Sequence, residues 1–452
     1  MVKLNEHNKE EYTNLVVNAL TMGDEKQFRQ LFLDLHPMDQ VELFGGLNPQ
    51  MRMRVYSYLS PEEFAIVFQE LELEQQKECF QELDEAYRYV MLPHMSADDL
   101  ADFLGELPQE DVDTLIKVMG QEGHEVMRLL TYPPRTAGAI MTTEFISVTT
   151  HDQVKTVMER LKQLAPSAET IYYLYVVDEK GYLVGVVSLR DLIIAAEHER
   201  IEEIMSTRVV YVSVLEDQEE VANLIQKYDF LALPVVTEQG RLVGIVTVDD
   251  VMDVVEEEVT DDIGEMSATR GAVDLQLSSF EAAKKRAPWI LLLMLLGLLT
   301  AAVFSRYEAT LDQVAILAIF TPMIMGSAGN TSTQTLAVVV RSLALGDIDR
   351  VGIYHLLKRE LGTGILLGLI CSILLLIVIP ILYQNMMLGI IVAISLLTAL
   401  SIATIIGAVI PLLINKLKID PAVASGPFIT TINDIVGLFI YFSIATALLN
   451  YL

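Results

Sequence analysis

Cysteine is nearly absent: Cys79 and Cys371 are the only two in 452 residues. Two thiols exclude a disulfide framework and a cysteine-built zinc site. Basic residues are scarce as well, 31 Lys and Arg against 61 Asp and Glu, for a formal net charge of −30. So acidic a chain repels phosphates, which excludes a nucleic-acid partner. The histidines are scattered, and no Ser/His/Asp or Cys/His grouping offers a nucleophile, so the chain reads as a non-enzyme. No apolar segment follows Met1, which argues against a cleaved signal peptide.

What is present conflicts with that acidity. Hydrophobic residues make up 52% of the chain, and the mean hydropathy is +0.40. Splitting the sequence resolves the conflict. Ala287–Leu452 holds seven basic and seven acidic residues, so the entire net charge falls on the first 286 residues. The two parts belong to different solvents, and the length suits about three domains of about 150 residues.

The neutral part reads as membrane helices. A spanning helix needs about 20 apolar residues. Five spans are expected, near 287–304, 314–341, 361–382, 387–414 and 421–450, with Tyr383-Gln384-Asn385 as a break. Lys and Arg cluster before the first span, between spans two and three, and between four and five, whereas the opposite loops carry only Arg306. The excess of positive charge predicts a cytoplasmic N-terminal half and an external C-terminus.

Two features inside the spans draw attention. Gly326–Thr335 (GSAGNTSTQT) is polar and follows Pro322. It reads either as a small-residue packing surface or as a locally opened backbone lining a water-filled path. Asp434, in FITTINDIVGLFIYF, is the one ionisable group deep in the fifth span. A carboxylate there costs roughly 2.5–3.5 kcal/mol on insertion scales, which marks an ion pathway. Thr430, Thr431 and Asn433 add oxygens nearby. Oxygen ligands without thiolates suit a hard cation. One carboxylate cannot replace the waters of Mg²⁺, so the ion is expected to pass hydrated, between two chains. The lack of a second intramembrane charge argues against a proton-coupled carrier.

The acidic part holds two repeats. Leu35, Leu47, Leu59, Leu71, Leu83, Met95, Leu107 and Met119 recur every 12 residues. Several continue into a helix cap, as in Leu59-Ser60-Pro61-Glu62-Glu63 and Met95-Ser96-Ala97-Asp98-Asp99, where Ser and an acid three residues on suggest a capping box. Each unit is a short helix and a turn, and stacked units make a superhelix over about 12–130. The second repeat sets 171–192 (IYYLYVVDEKGYLVGVVSLRDL) against 229–251, with Gly185 matching Gly244. Ile140-Met141-Thr142 matches Ile204-Met205-Ser206 further upstream, and the first copy carries extra residues within Leu164–Glu169. Each copy reads as strand, helix, strand, turn, strand, helix.

These copies resemble a tandem pair of CBS (cystathionine-β-synthase) domains. The G-x-x-[ST]-x-x-D ending appears as Gly185…Ser188…Asp191 and as Gly244…Thr247…Asp250. The resemblance implies contacts to an adenine nucleotide such as ATP, with Arg190, Asp191 and Asp250 toward the ribose and Tyr173 and Phe230 toward the base. The alternative is that Ser188 and Thr247, with the following Asp, only cap a helix.

Beyond the second copy, Asp249–Asp262 holds eight acids and no Lys or Arg. Asp250, Asp253, Glu257 and Asp261 fall on one helix face, and Val251, Val255 and Val259 on a neighbouring one that can pack. Two carboxylates about 6 Å apart repel by roughly 3 kcal/mol at an effective dielectric near 20. Several such pairs make a compact arrangement depend on divalent cations. Asp98, Asp99, Asp102, Glu219 and Asp229 are further candidates.

The order of helical repeats, CBS pair, connecting helix and five spans resembles the MgtE family of magnesium channels along nearly the whole chain. MGSAGNTSTQ, DPAVASGPFITTINDIVGLFIYF and VDDVMDVVEEEVTDDI carry that likeness. It implies a multidomain membrane protein: a helical regulatory domain at 1–132, CBS domains at 133–200 and 201–260, a connecting helix at 261–286 and a five-span pore domain at 287–452. It also implies a homodimer with the pore on the twofold axis. Asp434 would be the essential acid of a hydrated Mg²⁺ site, helped by backbone oxygens near Thr430, Gly326 and Gly329, with Asn330 near the gate. Asp98, Asp102, Glu219, Asp229, Asp250, Asp253, Glu258, Asp261 and Asp262 would be regulatory Mg²⁺ ligands, and Glu257 is an extra acid beyond the family set. The expected function is a passive Mg²⁺ channel of the cytoplasmic membrane, closed by cytosolic Mg²⁺. The other readings are a CBS-gated transporter of another divalent cation, Co²⁺ or Mn²⁺, and a membrane-anchored sensor that transports nothing.

Overall fold

The structure, a computed structural model, describes residues 3–4, 8–269, 277–344, 348 and 352–451. The chain divides into two compact units, Met1–Val255 and Glu256–Leu452.

The first unit opens with ten helices: α1 (Lys9–Met22), α2 (Glu25–Leu33), α3 (Pro37–Gly45), α4 (Pro49–Tyr58), α5 (Pro61–Gln69), α6 (Leu73–Glu82), α7 (Glu85–Met91), α8 (Ala97–Gly105), α9 (Gln109–Met119) and α10 (Gln121–Leu129). Their N-caps from α2 onward are Asp24, His36, Asn48, Ser60, Glu72, Asp84, Ser96, Pro108 and Gly120, one every 12 residues. The periodic Leu or Met is therefore always the residue before the cap, where an apolar side chain staples the incoming chain to the helix. Seven of the eight are buried, from Leu35 at 0% exposure to Met119 at 9%; Leu107 is half-buried against the same core. Helices pack on the one two places on, α3 on α5, α5 on α7, α7 on α9 and α8 on α10, which builds the superhelix. Phe64 centres the core, with Phe44, Tyr56, Phe68 and Tyr87 around it at tilted or edge-on angles. Ser60 and Glu63 form the reciprocal capping box. Ser96 does not: its hydroxyl donates to the Asp99 carboxylate, so α8 has no side-chain cap of that kind.

The CBS pair follows. One sheet has β1 (Ser147–Thr149) parallel to β2 (Tyr173–Val177), which is antiparallel to β3 (Leu183–Ser188). The other repeats this with β4 (Val212–Ser213), β5 (Ala232–Val236) and β6 (Leu242–Thr247). The ladders coincide residue by residue: Val176 faces Gly185 as Val235 faces Gly244, and both slip register just after that pair. Helices α11 (Val154–Leu164), α12 (Leu189–Ile194), α13 (Ile201–Ile204) and α14 (Gln218–Tyr228) complete the pair. The extra residues of the first copy form a 3₁₀ turn, Ala165–Ser167, where the second copy turns at once through Asp229 at φ 54°. The copies are laced together. The Met141 sulfur packs on Gly244 and the Met205 sulfur on Gly185, each 2.6–2.7 Å from where a Cβ would stand. At Gly244 the Thr142 carbonyl would also stand 2.8 Å from a Cβ, so glycine is required there; at Gly185 the Met205 side chain would have to give way.

Helix α15 (Val248–Met266) runs through the division between the units. The second unit continues with α16 (Ser279–Arg306), α17 (Glu308–Gln313), α18 (Leu317–Ala344), α19 (Ile353–Tyr383), α20 (Met386–Lys416) and α21 (Gly426–Ala447). The connector expected as one helix at 261–286 is thus the end of α15 and the start of α16; residues 270–276 lie outside the described residues. Among the described residues, α16, α19, α20 and α21 are long and apolar enough to cross a membrane. Helix α18 matches them in length with 28 residues but carries the polar stretch. The break at Tyr383-Gln384-Asn385 is a left-handed Gln384 followed by Asn385, whose side chain caps α20. Helix α20 lies at the centre, packed on α18, α19 and α21, and α18 packs on α20 and α21. Backbones approach where side chains vanish: at Gly407 a Cβ would stand 2.5 Å from the Ser332 carbonyl, and at Gly364 2.5 Å from Thr404 Oγ1. Helix α16 buries none of its residues within the chain and packs mainly on α17 and α21.

Candidate functional site

Gly326–Thr335 lies within one unbroken helix. The backbone is therefore not opened there, and one face of the segment is a packing surface. Three of its hydroxyls are satisfied within the helix: Thr331 donates to the Ser327 carbonyl, Ser332 to Gly329 and Thr333 to Asn330. The segment has two faces. Ala328, Gly329, Thr331, Ser332 and Thr335 are buried. Gly326, Asn330 and Gln334, four residues apart, are less covered and form one open stripe. Gly329 belongs to the closed face: a Cβ there would stand 2.7 Å from Thr430 Cγ2 of α21.

On α21, Thr431 donates to the Pro427 carbonyl at 2.8 Å and Asn433 to Ile429 at 3.0 Å. Both donate to their own helix, which leaves their oxygens as acceptors. Asp434 differs. It is half-buried, and its Oδ1 is buried without a hydrogen-bond partner among the described residues. A buried carboxylate oxygen left without a donor is costly unless a cation or water meets it. Asp434 lies four residues after Thr430 and three before Gly437, and those two meet Gly329 and Ala328. It therefore shares the side of α21 that approaches α18.

The unit holds a second buried carboxylate. Glu360 on α19 is 4% exposed and accepts a 3.1 Å hydrogen bond from Thr335 Oγ1. It stands one residue before the long uncharged run, so nothing in the local sequence sets it inside the bundle. Glu360 lies just before the span expected at 361–382, where the sequence holds no charge.

The first unit gathers acids at the start of two helices. Asp98 and Asp99 open α8; Asp249 and Asp250 open α15. Burial, with Asp249 as a like-charged neighbour, raises the Asp98 carboxyl, whose Oδ1 is buried with no hydrogen-bond partner among the described residues. Burial pushes Asp99 up to about 7, with Asp98, Glu70 and Asp250 adding repulsion. Asp250 rises to about 7 from burial and from Asp98 and Asp249, although Thr247 donates to it. Two acids absent from the sequence-based candidates join them. Glu144 is raised to about 7 by burial and by Asp98, and Glu169 is raised by desolvation and by Asp98. A backbone hydrogen bond from Glu169 to Glu144 ties the two together, and Glu169 ends the extra segment of the first CBS copy. That insertion was the available signal.

The other candidate ligands stand further along α8 and α15 or on α14. Asp229 terminates α14 with φ 54°, and Glu219 lies in the first turn of the same helix. Asp102 and Glu219 are exposed. Asp253 is exposed, and Glu265 is buried at 8%. Glu257, Glu258, Asp261 and Asp262 follow along α15. The expected packing face of α15 is incorrect at Val259, which is 52% exposed. The covered stripe runs through Val251 and Val254 and continues as Glu258, Asp261 and Glu265, at steps of three and four. In the second unit Met266 packs with Leu336, Val340, Ala424 and Ile429. Among the described residues, no group of three or more His, Cys, Asp or Glu side chains is placed to hold a metal ion directly.

A cleft of about 510 Å³ lies on the first CBS copy, lined by Tyr172, Tyr173, Ser188, Arg190, Ile193 and Leu231 among others. Tyr173, Ser188 and Arg190 are brought together as expected of nucleotide ligands. Asp191 forms a full capping box with Ser188, which caps that helix; at the second copy the Thr247 N–H and hydroxyl both donate to Asp250, which is the carboxylate half of such a box. Phe230 stacks on Tyr228, with 5.4 Å between ring centroids. Phe230, Thr247 and Asp250 do not line this cleft.

Family profiles match along the chain: "MgtE intracellular N domain" at residues 35–135, "CBS domain" at 137–198 and 201–257, and "Divalent cation transporter" at 321–444. The magnesium transporter MgtE of Bacillus subtilis is 41% identical over 81% of this chain and 90% of its own length. That of Thermus thermophilus is 41% identical over 78% and 80%. Among solved structures, the soluble part of a magnesium transporter aligns with a TM-score of 0.53 and 42% identity, covering 55% of this chain and 99% of that one. The cytosolic domain of the Mg²⁺ channel MgtE in complex with ATP aligns with a TM-score of 0.51 and 43% identity, over 54% and 99%. With its helical repeats, CBS pair and apolar helices all matched, this chain belongs to the MgtE family of magnesium transporters.

Proposed function

We propose that the chain is a Mg²⁺ channel of the cytoplasmic membrane, working as a homodimer and closed by cytosolic Mg²⁺. The observation that carries this reading is the unsatisfied oxygen of Asp434, on the side of α21 that approaches the polar stretch of α18. Mg²⁺ sheds water reluctantly and is held through one or two carboxylates. A single acid per chain suits an ion that passes hydrated between two copies. Helix α16, which buries nothing in its own chain, has apolar surface for lipid and for a second copy. The C-terminus is external in this reading.

Regulation rests on the acids of the first unit. Their mutual repulsion opposes the compact arrangement, and Mg²⁺ bound among Asp98, Asp99, Asp250 and their neighbours relieves it, with waters completing the coordination. Asp102, Glu219, Asp229, Asp253, Glu257, Glu258, Asp261 and Asp262 serve the same sensing at weaker or water-mediated positions. Mg²⁺ shifts the population only by binding the compact form more tightly. Helix α15 enters both units and carries the coupling. ATP is the nucleotide proposed for the CBS cleft, where Arg190 meets phosphate or ribose and Tyr173 meets the base.

Three results test these readings. The chain restores growth to a strain without Mg²⁺ uptake, and Asp434→Asn does not, although it is made and inserted normally; full uptake by that variant removes Asp434 from the mechanism. Arg190→Ala weakens ATP binding to the full-length protein in equilibrium dialysis, and unchanged affinity moves the nucleotide elsewhere. The pH dependence has a defined sign. Asp99, Glu144 and Asp250 stand at about 7 in the folded chain, against roughly 4 when unfolded. The folded state therefore holds protons that the unfolded state releases, and stability falls as pH rises between about 4 and about 7, then levels. In chelator, calorimetry of the soluble unit in the full-length protein gives that fall, which Asp99→Asn with Asp250→Asn flattens. A profile unchanged by the double variant contradicts the assignment.

A further inference from the structure

We propose that Glu360 is a positioning residue for ion passage, holding the pore stripe of α18 in place through Thr335. The inference rests on the reading of α18 and α21 as pore helices. Glu360 and Thr335 are 4% and 3% exposed, and the hydrogen bond between them joins α19 to α18. Arg359 Nε stands 3.3 Å from the other carboxylate oxygen of Glu360, from a side chain that is itself 58% exposed. The carboxylate thus has a cation on one oxygen and a hydroxyl on the other, which is what a buried charge needs.

The surroundings give this bond its consequence. Thr335 follows directly on Gln334 and lies five residues beyond Asn330, within the same helix. On one side α18 is fixed to α21 by the Gly329–Thr430 contact. On another, α20 touches α18 at Ser332 through Gly407, and α19 touches α20 at Thr404 through Gly364. Those contacts are close small-residue approaches that carry no directional bond. The Thr335–Glu360 bond is directional and fixes rotation as well as distance. Rotating α18 moves Gly326 and Asn330 relative to Asp434. A purely structural acid would only hold the bundle together. A positioning acid also sets how the pore discriminates among cations.

The test uses purified full-length protein in liposomes. Mg²⁺ influx, the Mg²⁺ concentration for half-maximal influx and the ratio of Mg²⁺ to Ca²⁺ influx are measured with thermal stability. Thr335→Val removes the hydroxyl with little change in shape, and Glu360→Gln keeps an acceptor. A hydrogen bond to a charged group is worth enough to shift an equilibrium by roughly tenfold. Thr335→Val and Glu360→Ala are expected to lower the selectivity ratio by about that factor, and the double variant to do no more than either alone. Glu360→Gln is expected to retain wild-type selectivity. Wild-type selectivity in Thr335→Val, or additive effects in the double variant, overturns the proposal. So does Glu360→Gln failing as badly as Glu360→Ala. Asp434→Asn in parallel keeps the two readings apart: its normal transport removes the pore assignment, whatever Glu360 does.

Discussion

Carboxylates forced together at the start of α8 and the start of α15 set the terms for the rest of the first unit. Asp98, Asp99 and Asp250 are desolvated together with Glu144 and Glu169, and burial first, then like charge, raises each of them. A protein can keep such a cluster by protonating it, by opening it or by filling it with cations. The hydrogen bonds supplied by Ser96 and Thr247 offset only part of the cost. The fold then adds its own demand, because the packed valines Val251 and Val254 hold the start of α15 in the core that the repeats share. Apolar burial draws the elements together and charge drives them apart. The proposed response to divalent cations draws on this balance and needs no dedicated cage.

The second unit solves a different problem with the same economy of charge. Its helices approach closely through Gly329, Gly364 and Gly407, and many of its hydroxyls bond their own backbones. One oxygen of Asp434 is left unsatisfied among the described residues. Water-filled passage does not require α18 to unwind. An open stripe on an intact helix, with an acid on the neighbouring helix, gives polar surface without unwinding the segment after Pro322.

Much of the architecture was legible in the sequence because its repeats follow from rigid geometry. A 12-residue period fixes cap and staple together, so Leu35 through Met95 and Met119 were identifiable as core without coordinates. The 59-residue offset between the CBS copies reproduced the strand ladders pair by pair. What was illegible depends on partners distant in the chain. Nothing local tells Gly185 that Met205 will fill its space, or tells Glu360 that Thr335 will meet it. The α15 stripe departs from expectation at Val259 because valine is normally the residue that packs. Here acids continue the stripe that the first valines begin, and helical period outweighs residue type.

The central claim is that Mg²⁺ stabilises the compact form of the acidic soluble unit. It is tested most directly by limited proteolysis of the full-length protein during a Mg²⁺ titration, at a pH above the cluster's titration and constant ionic strength. The account predicts that cleavage within residues 8–269 slows steeply as Mg²⁺ rises, and that Asp98→Asn with Asp250→Asn gives slow cleavage already without Mg²⁺. Equal cleavage rates with and without Mg²⁺ would contradict it.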